Sequence, residues 1–298
     1  MNYEKYDFAV DMKGKTCLVT GATNGHGEAV AKFLARKGAD VIIHGRSSEK
    51  LKKISDDIYK QCGRKPEQLI INFSSMDDIR KKTAEFNKKK RKIHLLVNNA
   101  GMVNQGLKLS ADGYEEVIAV NYFAMYLFTL LILDNVKSAV PSRIVNVSSD
   151  AHYIGKLDLD DIEQKKKYSL MGAYARSKLA IIYFTRELAL RLKDSGVTVN
   201  AVDPGPVASG IAKKPSLLAK FADIIIQATF PDPLKAAKTC LYLCMSAEVK
   251  DITGGYFRFM EQKEPKINFN PEFARRLWEK TSAITGVDLK IKVKSKGK

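Results

Sequence analysis

An apolar run at residues 15–20 leads directly into Gly21-Ala22-Thr23-Asn24-Gly25-His26-Gly27 and then into a helical pattern at 28–38. Strand, glycine turn and helix in that order leave the chain few folds to choose from. The glycines allow a sharp turn and bring backbone amides close to a ligand. The helix then offers free N–H groups and the positive end of its dipole, an arrangement suited to a pyrophosphate. Gly38 is a natural helix stop, and a second apolar run at 40–44 completes a βαβ unit.

The end of that second strand bears on which dinucleotide fits. A carboxylate there would bond both hydroxyls of an NAD ribose, but the sequence reads His44-Gly45-Arg46-Ser47-Ser48. A guanidinium beside hydroxyls suits a ribose 2′-phosphate through charge-assisted bonds, so Arg46 points to NADP(H). The competing reading is a solvent-facing cation, in a chain with 50 Lys+Arg. Farther along, Tyr174 and Lys178 stand four residues apart in a helical stretch, one turn apart on one face. A phenol near its free pKa of about 10 shuttles protons poorly at neutral pH, and the neighbouring cation is expected to lower it.

Four further stretches join these. Asn98-Asn99-Ala100-Gly101 follows an apolar strand at 95–97, and Asn121 lies in a helix expected over 114–133. A strand at 143–149 ends in Ser148-Ser149, and Asp203-Pro204-Gly205-Pro206-Val207-Ala208-Ser209 follows the next strand. With the glycine turn and the Tyr174/Lys178 pair, the chain resembles the short-chain dehydrogenase/reductase family, motif by motif and in order. The resemblance implies hydride transfer between a nicotinamide and a carbonyl or alcohol, with a catalytic set of Asn121, Ser149, Tyr174 and Lys178. In that set Tyr174 exchanges the proton, Ser149 hydrogen-bonds the reacting oxygen, Lys178 lowers the Tyr174 pKa and holds the nicotinamide ribose, and Asn121 relays protons through water. It further implies cofactor contacts from Gly21, Thr23, Asn24, Gly25, His26, Gly27, Arg46, Asn72, Phe73, Asn98, Ala100, Gly101, Val147, Tyr174, Lys178, Pro204, Gly205, Val207 and Ser209.

The long interval between Ser149 and Tyr174, with the stretches 184–189 and 274–279, is similar to retinol-dehydrogenase-like members, which act on lipophilic alcohols and carbonyls and generally prefer NADP(H). Three residues depart from the family pattern. His26 replaces an apolar residue and is expected to be a packed, uncharged imidazole. Asn72 replaces an aspartate that meets the adenine amine, and its amide oxygen still accepts that bond. Asp203 stands where a neutral or imidazole side chain is usual, and the sequence offers no account of it.

The α/β alternation predicts a doubly wound parallel sheet of Rossmann type in three α/β/α layers, completed by a strand around 253–258, as one domain over 1–298. A substrate lid is expected at about 208–232, where a proline break meets an apolar stripe. A core-facing helix or a subunit surface would read the same way. Net charge +17 raises the question of nucleic acid. Its concentration in 88–92, in 165–167 and in a basic tail at about 288–298, without an aromatic stacking platform, argues against it. The tail could touch anionic lipid weakly. Without an apolar span or leader the chain is expected to be cytoplasmic, and a monomer or homodimer. Cys240 and Cys244 read as one face of a buried helix, and the four histidines form no metal set. The function expected is an NADP(H)-dependent oxidoreductase acting on a lipophilic (retinoid-, steroid- or aldehyde-like) substrate. The alternative is an NADP(H)-binding scaffold or redox sensor with little turnover.

Overall fold

The computed structural model describes residues 10–104, 106–163, 168–205, 233–265 and 267–289. The expected lid and most of the basic tail lie outside these residues, as do Val207 and Ser209. The first half alternates β1 (Thr16–Val19), α1 (Gly25–Arg36), β2 (Asp40–Gly45), α2 (Ser48–Cys62), β3 (Glu67–Ile70), α3 (Met76–Asn87) and β4 (Leu95–Asn98). A segmented helix follows as α4 (Glu116–Ile118), a π-turn (Ala119–Phe123), α5 (Ala124–Leu131) and α6 (Leu133–Lys137). Then come β5 (Ser142–Val147), α7 (Leu170–Arg191), β6 (Val197–Asp203), α8 (Pro233–Met245), β7 (Tyr256–Arg258), β8 (Glu261–Lys263) and α9 (Pro271–Thr285).

The strands form one sheet in the order β3-β2-β1-β4-β5-β6-β7-β8, parallel throughout except for the antiparallel β7/β8 pair. The chain works outward from β1 to β3 and then returns to place β4 on the other side of β1. That reversal opens a crevice at the carboxyl ends of β1 and β4, where the glycine turn and the segment 98–101 emerge.

Alternation along the strands feeds two cores. Leu18, Ile42, Leu96 and Ile144 face a layer built from α3, α5, α7 and α9. Cys17, Val19, Val41, Ile43, Val97 and Val145 face the opposite layer of α1, α2 and α8. Strands buried on both faces explain why these segments read as continuous apolar runs. Cys240 and Cys244 lie in α8, both buried and free.

The last helix joins the two helices that carry expected site residues. Trp278 stacks on Phe184 of α7 with ring centroids 5.7 Å apart and an interplanar angle of 6°, and the Arg191 guanidinium covers the same indole at 4.2 Å. Thr281 meets the Tyr122 hydroxyl, in the π-turn, at 2.9 Å.

Several boundaries differ from expectation. α1 begins at Gly25, because the glycines of the turn form the first helical turn. A Cβ on Gly27 would stand 2.4 Å from the Gly21 carbonyl oxygen. The helix expected over 114–133 starts at Glu116, where the Glu115 carboxylate accepts the Val117 and Ile118 amides at 2.9 Å each. It then widens at Asn121 and is interrupted at Ile132. The strand expected over 253–258 is paired only from Tyr256, since Gly254 takes φ +77° in the preceding turn. β8 went unpredicted because its residues, Glu261-Gln262-Lys263, are all exposed and carry no apolar alternation. Among the described residues no helix is long and apolar enough to cross a membrane.

Leu96 lies fully buried in a central strand. Its replacement by alanine is expected to cost about 3 kcal/mol, read as a lower urea midpoint with the fluorescence of Trp278 as probe.

Candidate active site

Thr20 begins the site. Its hydroxyl accepts the amides of Asn99 and Ala100 at 2.9 and 3.0 Å, and Asn99 Nδ2 donates back to the carbonyls of Thr20 and Gly21 at 2.9 and 3.1 Å. Gly21 has φ +65°, and a Cβ there would stand 2.7 Å from Ala100 Cα. Only glycine fits this approach. The amides at the start of α1 have no intrahelical acceptor, and the N-cap residue Asn24 makes no side-chain cap bond. They remain free for an anion.

Around this turn lies a cavity of about 610 Å³ at the carboxyl ends of the strands. Gly21, Thr23, Asn24, Gly25, His26, Gly27, Arg46, Asn72, Phe73, Ala100, Gly101, Val147, Ser149, Tyr174, Lys178, Pro204 and Gly205 all line it. The structure therefore brings most of the expected residues to one place.

Asn98 is a correction. Its amide nitrogen donates inside the sheet, to Thr129 Oγ1 at 2.9 Å and Asn146 Oδ1 at 2.8 Å, and the side chain is not part of the cavity wall. Its neighbour Asn99 lines the cavity instead, because strand alternation turns successive side chains to opposite faces. Asn121 also stands behind the wall. It is 0% exposed, its Oδ1 accepts the Met102 amide at 2.7 Å, and its Nδ2 donates to Met102 O and Ser177 Oγ at 3.0 Å each. Its amide thus bridges the π-turn, the loop after β4 and α7. The Asn72 oxygen already accepts the Ser74 amide at 3.0 Å, which leaves one lone pair for a ligand.

Two histidines act as neutral building blocks. His44 stacks on Phe73 at 4.1 Å, accepts the Gly21 amide at Nδ1 (3.2 Å) and donates from Nε2 to Ile71 O (3.2 Å). His26 donates from Nδ1 to Asn99 Oδ1 at 2.8 Å, a direction set by the two donations Asn99 makes from its nitrogen. Burial lowers both from 6.5 to about 4. The packed, uncharged imidazole expected at position 26 is what the geometry shows.

At the edge of the cavity beside β2, Arg46 is exposed and makes no hydrogen bond or ion pair with any described residue. Lys50, one turn into α2, lines the same edge and is a cation that sequence reading missed. The signal was the spacing of four from Arg46, obscured by the many other lysines. The Ser47 hydroxyl caps α2 by accepting the Lys50 amide at 3.3 Å.

At the other end, α7 carries Tyr174 and Lys178. The ammonium lies 5.4 Å from the Tyr174 ring centroid and donates to Val147 O at 2.9 Å. Tyr174 and Ser149 line the same end of the cavity. Burial pushes the phenol up to about 12, the Ser149 hydroxyl opposes this, and the charges of Asp203 and Asp150 add to it. Burial also pulls Lys178 down to about 8, against the pull of Asp203. The expectation that Lys178 sets a low Tyr174 pKa is thus corrected: desolvation is the larger influence, and Tyr174 is a neutral phenol at pH 7.

The family model for short chain dehydrogenase matches residues 15–217. The chain is 35% identical to human retinol dehydrogenase 13 over 283 residues, which is 92% of this chain and 86% of the relative. It is 36% identical to human polyprenol dehydrogenase over 282 residues, again 92% of this chain and 86% of the relative. A crystal structure of a Beutenbergia cavernae protein with NADP bound at low occupancy matches with a TM-score of 0.67 and 26% identity, over 83% of this chain and 95% of that one.

The buried histidines give a pH test. Their folded pKa lies below the unfolded value, so the stability of the neutral forms is fully present above about 6.5 and is lost as pH falls toward about 4. The loss is roughly 3 kcal/mol per histidine. Urea midpoints should fall between pH 6.5 and 4.5 for the wild type, and the fall should be shallower for His44→Gln.

Proposed function

The chain belongs to the short-chain dehydrogenase family and is an oxidoreductase of its retinol-dehydrogenase-like branch; from that premise we propose that it uses NADP(H) to interconvert a lipophilic carbonyl and its alcohol, with Tyr174 carrying the proton. The observation that carries this reading is the shared cavity, which has a glycine turn and two cations, Arg46 and Lys50, at one end and Tyr174, Ser149 and Lys178 at the other.

The residues present fit the dinucleotide. The free amides at the start of α1 would hold the pyrophosphate, and Arg46 with Lys50 would hold the 2′-phosphate. The NADP described in the Beutenbergia cavernae structure supports the same choice. When bound, the cofactor supplies or accepts the hydride.

The remaining work belongs to the chain's own groups. In the reductive direction the Tyr174 phenol, protonated at pH 7, gives its proton to the substrate oxygen. The Ser149 hydroxyl donates to that oxygen and offsets its developing negative charge. Lys178 then stands beside the phenolate left behind, and its charge favours that state.

Exposed apolar side chains on the segments that carry or adjoin these residues support a lipophilic substrate. Tyr153 and Ile154 follow Ser149, Met171 precedes Tyr174, and Phe259 lies 3.8 Å from where a Cβ on Gly205 would stand. All four are exposed large hydrophobics. The names of the retinol and polyprenol dehydrogenases match such a substrate.

NADPH and NADH titrations of the wild type, Arg46→Ala and Lys50→Ala test the cofactor. Each substitution is expected to weaken NADPH about tenfold and leave NADH unchanged; equal affinities in the wild type would overturn the choice of NADP(H). Tyr174→Phe should keep NADPH affinity and lose turnover of lipophilic aldehydes and ketones by at least about a hundredfold.

A further inference from the structure

Asp203 ends β6 with 1% of its surface exposed. A buried carboxylate is costly unless it is both paired and hydrogen-bonded, and this one is held on three sides. Its Oδ1 accepts the Gly205 amide at 2.9 Å, and its Oδ2 accepts the Tyr256 hydroxyl at 3.2 Å. The Arg258 guanidinium lies 3.2 Å from the same Oδ2 and donates to Asp150 Oδ2 at 3.2 Å. Asp150 in turn accepts the Ser149 hydroxyl at 3.3 Å. One guanidinium on β7 therefore ties the turn carrying Ser149 to the turn carrying Pro204 and Gly205.

The bond from Asp203 to Gly205 spans two residues and forms a local side-chain turn around Pro204. Gly205 takes φ +75° within it. The bond satisfies a backbone donor at the cavity wall and gives the left-handed residue a single orientation.

We propose that Asp203 is a positioning residue: through Oδ1 it holds the Pro204–Gly205 turn against the cavity, and its charge, held by Arg258 in the bridge to Asp150, acts on the cavity that Tyr174 and Lys178 line. The second half of this inference rests on the enzymatic reading above; the first does not. The charged and titratable groups around the carboxylate are Tyr256 and Arg258 from β7, Asp150, His152 and Tyr153 from the turn after β5, and Tyr174 and Lys178 from α7. A negative charge favours the protonated forms of both Tyr174 and Lys178, and Asp203 acts on both in that direction. Removing the charge while keeping the shape therefore lowers both pKa values.

Asp203→Asn and Asp203→Ala separate the two roles. Asparagine keeps an oxygen for the Gly205 amide and discards the charge; alanine discards both. Hydrogen exchange of the Gly205 amide in the cofactor-free protein is expected to match wild type in Asp203→Asn and to be about tenfold faster in Asp203→Ala. In alcohol oxidation, the rise of kcat/KM with pH is expected to move about half a unit toward lower pH in Asp203→Asn. Unchanged Gly205 exchange in Asp203→Ala would overturn the positioning role, and an unmoved pH profile in Asp203→Asn would overturn the role in charge. A wild type that binds NADPH but turns over no carbonyl or alcohol would sink the enzymatic reading and with it the second half, while amide exchange would still decide the first.

Discussion

The close approach of the glycine turn to the segment after β4 is the constraint on which the rest of the site depends. Thr20 and Gly21 exchange four hydrogen bonds with Asn99 and Ala100 across it, and Gly21 leaves no room for a Cβ. Because β1 and β4 are neighbours at the sheet's reversal, this lacing fixes the mouth of the crevice and aims the start of α1 into it. His44 extends the lacing to β2 by accepting the Gly21 amide, and His26 extends it into α1 through Asn99. The acceptor role of His44 requires a neutral imidazole, and burial keeps both rings in that form.

The same physics decides the proton chemistry. α7 places Tyr174 and Lys178 on one face, yet it is burial that governs both, raising the phenol and lowering the ammonium. In the proposed reaction a neutral phenol is the form that gives a proton to a carbonyl oxygen. The nearby carboxylates, Asp203 and Asp150, reinforce that state and are themselves restrained by Arg258.

Much of this was legible in the sequence because the motifs are local. The glycine turn, the segment 98–101, the serine at the end of β5 and the Tyr174/Lys178 pair each lie within a few residues, and each lines the cavity. What could not be read depends on direction or on distant partners. Whether Asn98 or Asn99 faces the cavity is set by the strand's register; Asn121 is consumed by a loop nineteen positions earlier in the chain. Lys50 was one lysine among many, and Asp203 made no sense until β7 supplied Arg258 fifty-five positions later. The rank of burial above charge at Tyr174 likewise needs the packed structure, since spacing alone shows only the charge.

The placement of α9 has a consequence for the order in which the molecule can be completed. Chains emerge from synthesis amino terminus first. The glycine turn, β2 and β4 are made early, whereas Trp278 and Thr281, which grip α7 and the π-turn, are made only after every strand of the sheet. The nucleotide-facing half can assemble while the ribosome is still at work. The face of α7 that Trp278 covers stays open until α9 has followed the sheet.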